Sequence, residues 1–261
     1  MPFYQVGAIK YYRFSCLENE GVYHALFTRR GGISPTPWHS LNFGASVGDD
    51  SGRVAHNREL ALESVQLRPD SVYDLHQVHS STIVTINRPL LPGEPHLKAD
   101  AILTNQPGVS LMMRFADCVP ILLFDPRKRA IGIAHAGWIG TVDQIARKTV
   151  IRMQEDFGSN PRDILAAIGP SIGPDHYSVG ADVVARVYTS FGQHADRMVT
   201  TMHGRSHLDL WQANRLVLEQ AGVEQIEVCQ ICTSCNLGDW YSHRGEQGKT
   251  GRFGAVFGLS E

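Results

Sequence analysis

The sequence has no apolar run approaching the roughly 20 residues that cross a bilayer as a helix, so we predict no membrane-spanning segment. No long run of lysine or arginine stands out either, and a net charge of −2 with a pI near 6.6 disfavours non-specific binding to nucleic acid or to a membrane surface. The amino-terminal stretch shows neither a long apolar region nor a cleavage pattern, and we expect no secretory signal. Five cysteines, an odd number in 261 residues, favour reduced thiols and a cytoplasmic location over a disulfide framework.

Dinucleotide-binding and repeat architectures are also disfavoured, because the sequence contains no glycine-rich fingerprint, internal repeat, low-complexity tract or linker. Its 43% hydrophobic and 19% charged residues are typical of a globular protein with a substantial core. Predicted strands and helices alternate irregularly, and many strands follow each other directly. We therefore predict a single α+β domain over residues 1–261, in which mixed β-sheets pack against helices.

Local patterns predict the individual elements. Short apolar or alternating runs predict strands at residues 22–28, 72–76, 82–86, 100–104, 109–113, 119–124, 130–134, 164–168, 226–228 and 253–257. Helical spacing predicts helices at residues 51–66, 141–157, 181–191 and 210–221, and we expect Thr141 to cap the second and Gly158 to end it. Residues 34–47 predict a loop that either serves a site through Asn42 or is simply a turn-rich connection.

The clearest chemical signal lies around two apolar runs, residues 119–124 and 130–134, which flank a turn with a proline and several charges. Cys118 directly precedes the first run and His135 directly follows the second. If the runs pair antiparallel about the turn, the two side chains become neighbours at one sheet edge. A thiolate beside an imidazole indicates either a metal site or a nucleophile with its base.

His76 and His79 are further candidates, three positions apart between two predicted strands. In an extended chain, residues of odd separation face opposite ways, so only one of the two is expected to point into a given site. Sequence alone leaves open which one. Either would complete a Cys-His-His set, the ligand count of a catalytic zinc site with an open fourth position. The alternative is a buried, unreactive cysteine beside a structural histidine.

A second group of thiols consists of Cys229, Cys232 and Cys235. Three cysteines at this spacing can begin an iron–sulfur or zinc site, but a fourth nearby cysteine is missing. Only Cys16 or a histidine such as His243 is expected to complete such a site. Unbonded thiols in a turn are therefore the default expectation.

Taken together, ten strings make the sequence resemble the YfiH-like family, also known as laccase-domain or polyphenol oxidase proteins and as peptidoglycan editing factors. The resemblance covers nearly the whole chain, and its central strings are specific. In chain order the strings are LFTRRGG (26–32), SLNFG (40–44), VGDD (47–50), HQVHS (76–80), ADAILTNQPGV (99–109), FADCVPILLFDP (115–126), AHAGWIGT (134–141), IGPSIGPDHYSVG (168–180), CTSC (232–235) and TGRFGAV (250–256).

The resemblance implies a Zn²⁺ ion held by His79, Cys118 and His135, which selects His79 over His76. It also implies small-molecule substrates, purine nucleosides and phosphate, with phosphorolysis of adenosine, inosine, guanosine and methylthioadenosine and deamination of adenosine. No nucleic-acid or membrane partner is expected, and the oligomeric state is not predicted. The candidate catalytic residues are Cys118, His135 and Asp117, and the candidate substrate-binding residues are Arg29, Asn42, Gln77 and Arg114.

Two positions depart from the family pattern. Ile139 stands where the family usually has arginine, and Ser80 stands where it usually has glycine. We expect Ile139 to precede a helix whose N-terminus faces His135 and offers an anion seat. Without the arginine, phosphate is expected to bind more weakly and the balance of activities to shift toward deamination.

The laccase label predicts copper, which the sequence disfavours. Multicopper oxidases use paired His-x-His arrays and a His-Cys-His string, whereas this chain has no His-x-His, and Cys118 is flanked by Asp117 and Val119. Two other functions remain open from the sequence. One is a metal-free cysteine hydrolase or peptidoglycan-precursor editing factor with Cys118 as nucleophile and His135 as base. The other is a non-catalytic binding protein in which the change at Ile139 has silenced the chemistry.

Overall fold

The computed structural model describes residues 2–18 and 20–260, and the predicted α+β class is confirmed. The strands are β1 (Phe3–Val6), β2 (Ile9–Tyr12), β3 (Val22–Phe27), β4 (Val72–Asp74), β5 (Ile83–Thr85), β6 (Ala101–Thr104), β7 (Ser110–Phe115), β8 (Val119–Asp125), β9 (Ala130–Ala136), β10 (Leu165–Ile168), β11 (Val199–Met202), β12 (Arg205–Leu208), β13 (Gln225–Val228) and β14 (Phe253–Leu259). The α-helices are α1 (Ser51–Ser64), α2 (Trp138–Val142), α3 (Ile145–Phe157), α4 (Ala181–Phe191) and α5 (Leu210–Gln220).

Two six-stranded mixed sheets form the centre of the molecule. The first has the strand order β1-β2-β3-β14-β7-β4 and the second the order β13-β10-β8-β9-β6-β5. Most pairs are antiparallel, but β4 with β7, β5 with β6 and β10 with β13 are parallel. Strands β11 and β12 form a separate two-stranded sheet.

The sheets stack face to face, and helices cover their outer faces. The core between the sheets joins Met113 and Phe257 of the first sheet to Leu122 and Ile133 of the second. Since side chains alternate along a strand, the neighbouring residues of β8 and β9 face the other way, where they pack on α3, α4 and α5. Helix α1 packs on the opposite face of the first sheet. Both central strands are buried on two sides, which explains their near-continuous apolar runs.

Most predicted elements occur with ends shifted by one or two residues, but the helix predicted at residues 141–157 was wrong in one respect. It is two helices, α2 and α3, separated by Gln144, whose φ of 57° is left-handed. Thr141 lies inside α2 and does not cap α3; its hydroxyl oxygen instead accepts a hydrogen bond from Asn214 at 3.0 Å. Gly158 ends α3 in a left-handed conformation, as predicted.

Strands β1, β2, β11 and β12 were not predicted, because their short sequences carry polar residues that obscure the alternation. Across the described residues, no helix has both the length and the apolar character needed to cross a membrane. The extent of the domain over residues 1–261 stays a prediction.

Candidate active site

The hairpin of β8 and β9 builds the centre of the candidate site. Val119 pairs with Ala136 and Pro120 with His135 in this antiparallel pair. Cys118, directly before β8, therefore lies beside the end of β9. The predicted proximity of Cys118 and His135 is confirmed.

His79 completes the group. Potential ligand atoms of His79, Cys118 and His135 all lie within 4.8 Å of one another. The two imidazole rings meet edge to face, with their centroids 4.9 Å apart. His76 lies outside the group, exposed to solvent and paired through its backbone with Lys98. Of the two histidines that residue periodicity left open, His79 is therefore the one that lies beside Cys118 and His135.

Asp100, fully buried directly before β6, organises both histidines. Its Oδ1 accepts hydrogen bonds from Nδ1 of His135 at 2.9 Å and from the amide of His79 at 3.0 Å. Its Oδ2 accepts from the Ser80 amide at 2.6 Å, the Ser80 hydroxyl at 2.8 Å and the Val78 amide at 3.2 Å. Because Nδ1 of His135 is occupied, its Nε2 is the nitrogen available to a metal ion.

The backbone around the site adopts unusual conformations. His79 has φ of 58° and Asp117, next to Cys118, has φ of 79°, both in the left-handed region that side chains disfavour. Gly137 lies against two of the candidate ligands. A Cβ atom there would stand 3.0 Å from Sγ of Cys118 and 3.3 Å from Cδ2 of His79. Bare backbone therefore forms one wall of the site.

The electrostatics of the site favour a negative charge on Cys118 and a positive charge on His135. Burial raises the pKa of Cys118, but the positive charge and hydrogen bonds of His135 and His79 outweigh it and lower that pKa to about 6. Burial lowers the pKa of His135, but Cys118 and Asp100 raise it to about 9. Near neutral pH the thiolate is therefore the favoured form of Cys118, and the thiolate is the form that binds metals.

The donor set fits a divalent metal ion. One thiolate and two imidazoles are ligands that zinc accepts readily, and three protein ligands leave a fourth position for substrate. The carboxylate behind His135 fixes the ring orientation in the way that ligating histidines usually require. Together His79, Cys118 and His135 form a candidate metal site.

Asp117 has polar partners within the protein. Its Oδ1 accepts from the hydroxyl of Thr233 at 2.7 Å, and its Oδ2 accepts from the amide of Arg244 at 2.6 Å. Its backbone oxygen accepts from the amide of Ile172 at 3.0 Å. These contacts tie three segments to the residue before Cys118. A catalytic role for Asp117 stays a prediction.

Arg29 and Asn42 are also engaged internally. Arg29 donates to Glu246 at 2.9 Å and lies over the ring of Tyr241, with its guanidinium carbon 4.4 Å from the ring centroid. Asn42 is fully buried; its amide donates to Asp49 at 3.0 Å, and its oxygen accepts from the amide of Arg252 at 2.8 Å. Their predicted contacts with substrate stay predictions.

Gln77 and Arg114 bind each other. The Gln77 side chain donates to the Arg114 carbonyl at 2.8 Å and accepts from the Arg114 amide at 2.9 Å, as a neighbouring strand would. The Arg114 guanidinium contacts Asp74 at 3.2 Å and donates to the carbonyl of Leu75. The pair holds the segment before His79 against β7, and substrate binding by either residue stays a prediction.

The two departures from the family pattern have different surroundings. The Ser80 hydroxyl donates to Asp100, so it adds a contact that glycine would lack. Ile139 is half-buried inside α2, rather than preceding a helix as predicted. Since α2 has only five residues, its terminus provides little of the dipole on which the predicted anion seat depended.

Residue patterns missed several groups near the site. Asp100 appeared only as the start of a strand, and nothing in the local sequence revealed its five donors. Burial lowers the pKa of the Arg252 guanidinium, while the negative charges of Cys118 and Asp117 partly raise it. The backbone amide of Arg244 donates a hydrogen bond to Asp117, and the guanidinium carbon of Arg244 lies 5.2 Å from the ring centroid of Tyr177.

Fold and site together define an α+β protein with two stacked mixed sheets and a candidate His/Cys metal site at the open end of the β8–β9 hairpin. The family model described as "Multi-copper polyphenol oxidoreductase laccase" matches residues 23–260. The fold is similar to that in the crystal structure of YlmD from Geobacillus stearothermophilus, with a TM-score of 0.91 over 100% of this chain and 99% of that one. The two sequences are 34% identical. These matches show that the chain belongs to the YfiH-like, laccase-domain family.

Relatives in this family carry a functional name. The chain is 40% identical over 252 residues to "Purine nucleoside phosphorylase YlmD" of Bacillus subtilis, covering 93% of this chain and 90% of the relative. It is 33% identical over 249 residues to "Purine nucleoside phosphorylase YfiH" of Escherichia coli, covering 92% and 95%.

Proposed function

We propose that the protein is a zinc-dependent purine nucleoside phosphorylase that acts on adenosine, inosine, guanosine and methylthioadenosine and also deaminates adenosine. The observation that carries the proposal is the convergence of His79, Cys118 and His135 in front of Asp100, in a chain 40% identical to a relative named for this phosphorolysis. The donor set favours zinc over copper for the reasons of ligand chemistry given above.

A zinc ion held by these three side chains would supply a Lewis acid with one coordination position left for a substrate atom. The protein contributes the rest through fixed geometry. Asp100 holds Nδ1 of His135 and so leaves Nε2 free to act as a ligand, and Gly137 lets the backbone lie close to Cys118. The thiolate of Cys118 would compensate one of the two positive charges of such an ion.

Phosphorolysis transfers the glycosyl group from the purine nitrogen to a phosphate oxygen: the C–O bond forms at the anomeric carbon as the C–N bond breaks. The protein must therefore balance phosphate charge beside the site. Arg252, whose guanidinium is influenced by the charges of Cys118 and Asp117, is the leading candidate for this role, and Arg244, whose guanidinium donates to Ser178, is the second. Arg29 would have to exchange its contact with Glu246 for phosphate.

Deamination requires water instead of phosphate and depends less on these cations. Ile139 removes the guanidinium that relatives usually place in this segment. We therefore expect a ratio of deamination to phosphorolysis that is higher than in relatives with arginine at the equivalent position.

Product analysis tests the proposal. Purified protein is incubated with inosine or adenosine, with and without inorganic phosphate, and the bases and sugars are separated by chromatography. Hypoxanthine should form from inosine only when phosphate is present, together with a ribose phosphate. Cys118→Ala should abolish product, whereas Cys229→Ser, a thiol outside the site, should not. Absence of product with every nucleoside would overturn the proposal.

A metal-free cysteine hydrolase, acting for example on a peptidoglycan precursor, is the second candidate. The lowered pKa of Cys118 beside the raised pKa of His135 favours it, because a thiolate–imidazolium pair is also what a nucleophilic cysteine needs. Removal of metal separates the two candidates. The phosphorylase should lose activity with a strong chelator and regain it with Zn²⁺, whereas the hydrolase should be unaffected by the chelator.

A further inference from the structure

A second group of metal-ligating side chains lies outside the site described above. Potential ligand atoms of Asp175, His176, Cys232 and Cys235 all lie within 4.8 Å of one another. The sequence pattern left only Cys16 or a histidine such as His243 to complete a site with these cysteines; in the structure a different histidine, His176, lies beside Cys232 and Cys235. The turn after β10 brings Asp175 and His176 to them, and the backbone of Ser171 pairs with that of Cys232.

Three of four separations between these ligand atoms have the lengths expected of a tetrahedral site, and the fourth, 3.0 Å between His176 and Asp175, is shorter. Nδ1 of His176 lies 3.5 Å from Sγ of Cys235, 3.8 Å from Sγ of Cys232 and 3.0 Å from Oδ2 of Asp175. Sγ of Cys235 lies 3.8 Å from Oδ2 of Asp175. With Zn–S near 2.3 Å and Zn–N or Zn–O near 2.1 Å, neighbouring ligands of a tetrahedral zinc stand about 3.4–3.8 Å apart. Four potential ligand atoms of the right chemistry thus lie within 4.8 Å of one another, close to the spacing that one bound ion requires.

The backbone supports an anionic sulfur at this position. The amide of Gly173 donates to Sγ of Cys232 at 3.2 Å, and a Cβ atom at Gly173 would stand only 3.2 Å from that sulfur. Such amide–sulfur bonds stabilise ligating thiolates. All five cysteines are free, so the two thiols remain available as ligands.

From this geometry we propose that Asp175, His176, Cys232 and Cys235 bind a second Zn²⁺ ion. Because four protein ligands close the coordination sphere, this ion is structural. It joins the turn that contains Gly173 to the Cys232–Cys235 turn. Both turns contact Asp117, through Ile172 and Thr233.

Metal analysis of the full chain, purified with reductant and without chelator, tests the proposal independently of any nucleoside activity. We expect about two zinc ions per chain in the wild type. Cys235→Ser and Asp175→Asn, both at exposed positions, should reduce this to about one. Cys118→Ala should also leave about one, while Cys229→Ser, a matched cysteine in the same segment, should retain two.

Cobalt provides a second readout that is specific to the thiolate ligands. In the Cys118→Ala background, apo-protein titrated with Co²⁺ should develop thiolate charge-transfer absorption from the second site alone. At a Co²⁺ concentration high enough to fill the weakened site, Cys235→Ser should reduce that absorption by about half, because one of two thiolates is lost. Zinc content that is unaffected by Cys235→Ser, or a missing cobalt signal in the Cys118→Ala background, would overturn the proposal.

Counting the free thiols tests the competing possibility that Cys232 and Cys235 form a disulfide. Denatured protein in chelator, prepared without reductant, should titrate with five thiols. Three thiols would indicate a Cys232–Cys235 disulfide and would contradict a metal site there.

Discussion

Asp100 and His135 are joined twice, once through side chains and once through backbone. The carboxylate accepts from Nδ1 of the imidazole at 2.9 Å, and the carbonyl of Asp100 accepts from the amide of His135 at 2.7 Å. The second contact follows from the register of β6 against β9, in which Ala101 pairs with Ala134. The same pairing that closes the sheet therefore fixes the orientation of a candidate metal ligand.

Asp100→Asn is expected to weaken zinc binding at the first site by roughly ten- to a hundredfold, because a neutral amide no longer supports the imidazole as a carboxylate does. A competition titration against a chromophoric chelator measures this affinity. Asp70→Asn, which disrupts an exposed ion pair with Arg68, serves as the control and should leave affinity unchanged. Ser80→Gly removes one of five donors to Asp100 and should fall between the two.

Gly137→Ala should also weaken the first site, by crowding rather than by charge. The added methyl group would press on Sγ of Cys118 at 3.0 Å, closer than most real contacts allow. Gly140→Ala is a matched control, since its methyl group would meet its neighbours at 3.4 Å. Equal zinc affinity in the two variants, measured by the same competition titration, would show that the backbone wall at Gly137 is not needed.

Residue patterns predicted the fold class, most elements and the contact between Cys118 and His135, because these depend on hydrophobic periodicity and on hairpin pairing. They did not predict Asp100 or the approach of His176 to Cys232. Both depend on where separate segments meet in space, which a local pattern does not contain. The break at Gln144 was missed for a related reason: tertiary packing on either side overrides the helical spacing of the sequence.

Stability should fall in acid because of His24, which is buried between β2 and β14 and accepts from the amide of Phe14 at 2.7 Å. Burial, with a contribution from Arg13, lowers the pKa of His24 from 6.5 to about 3. The unfolded chain therefore binds one more proton between these values, and stability declines as the pH falls through this window. The decline is up to about 1.4 kcal/mol per pH unit and is absent above pH 6.5.

Urea unfolding at pH 7 and pH 5 measures this effect. His24→Gln should lose about 2 kcal/mol less between the two pH values than the wild type, because its side chain does not titrate. His56→Gln changes an exposed histidine and should behave as the wild type. Parallel losses in all three proteins would contradict the assignment to His24.

Arg252→Gln is expected to raise the phosphate KM of nucleoside phosphorolysis by roughly ten- to a hundredfold, the equivalent of a charge-assisted hydrogen bond of about 1.5–3 kcal/mol. Adenosine deamination should change less, because it uses no phosphate. Arg127→Gln removes an exposed cation paired with Asp163 and provides the control. Loss of both activities in proportion would indicate that Arg252 supports the site as a whole.

Ile139→Arg is expected to lower the phosphate KM of phosphorolysis. The improvement should come from the charge and hydrogen bonds of the guanidinium, because the short helix α2 contributes little dipole. Ile139→Met, which keeps the side chain apolar and of similar volume, is the matched control. Steady-state kinetics with varied phosphate measure the change. An unchanged KM in a folded Ile139→Arg protein would show that position 139 does not face the anion.

The backbone amides of Val78, His79 and Ser80 all donate hydrogen bonds to the Asp100 carboxylate, and they should protect this surface loop from hydrogen exchange. Val78 and His79 are exposed, yet their N–H groups are bonded to a buried carboxylate and should exchange with deuterium as slowly as those of a strand. Much of the ordering of His79 is thus complete before any ion arrives. A flexible histidine would lose conformational entropy when it binds an ion, whereas His79 has already lost most of that entropy on folding. The affinity of the site should therefore depend on whether the sheet that carries Asp100 is intact.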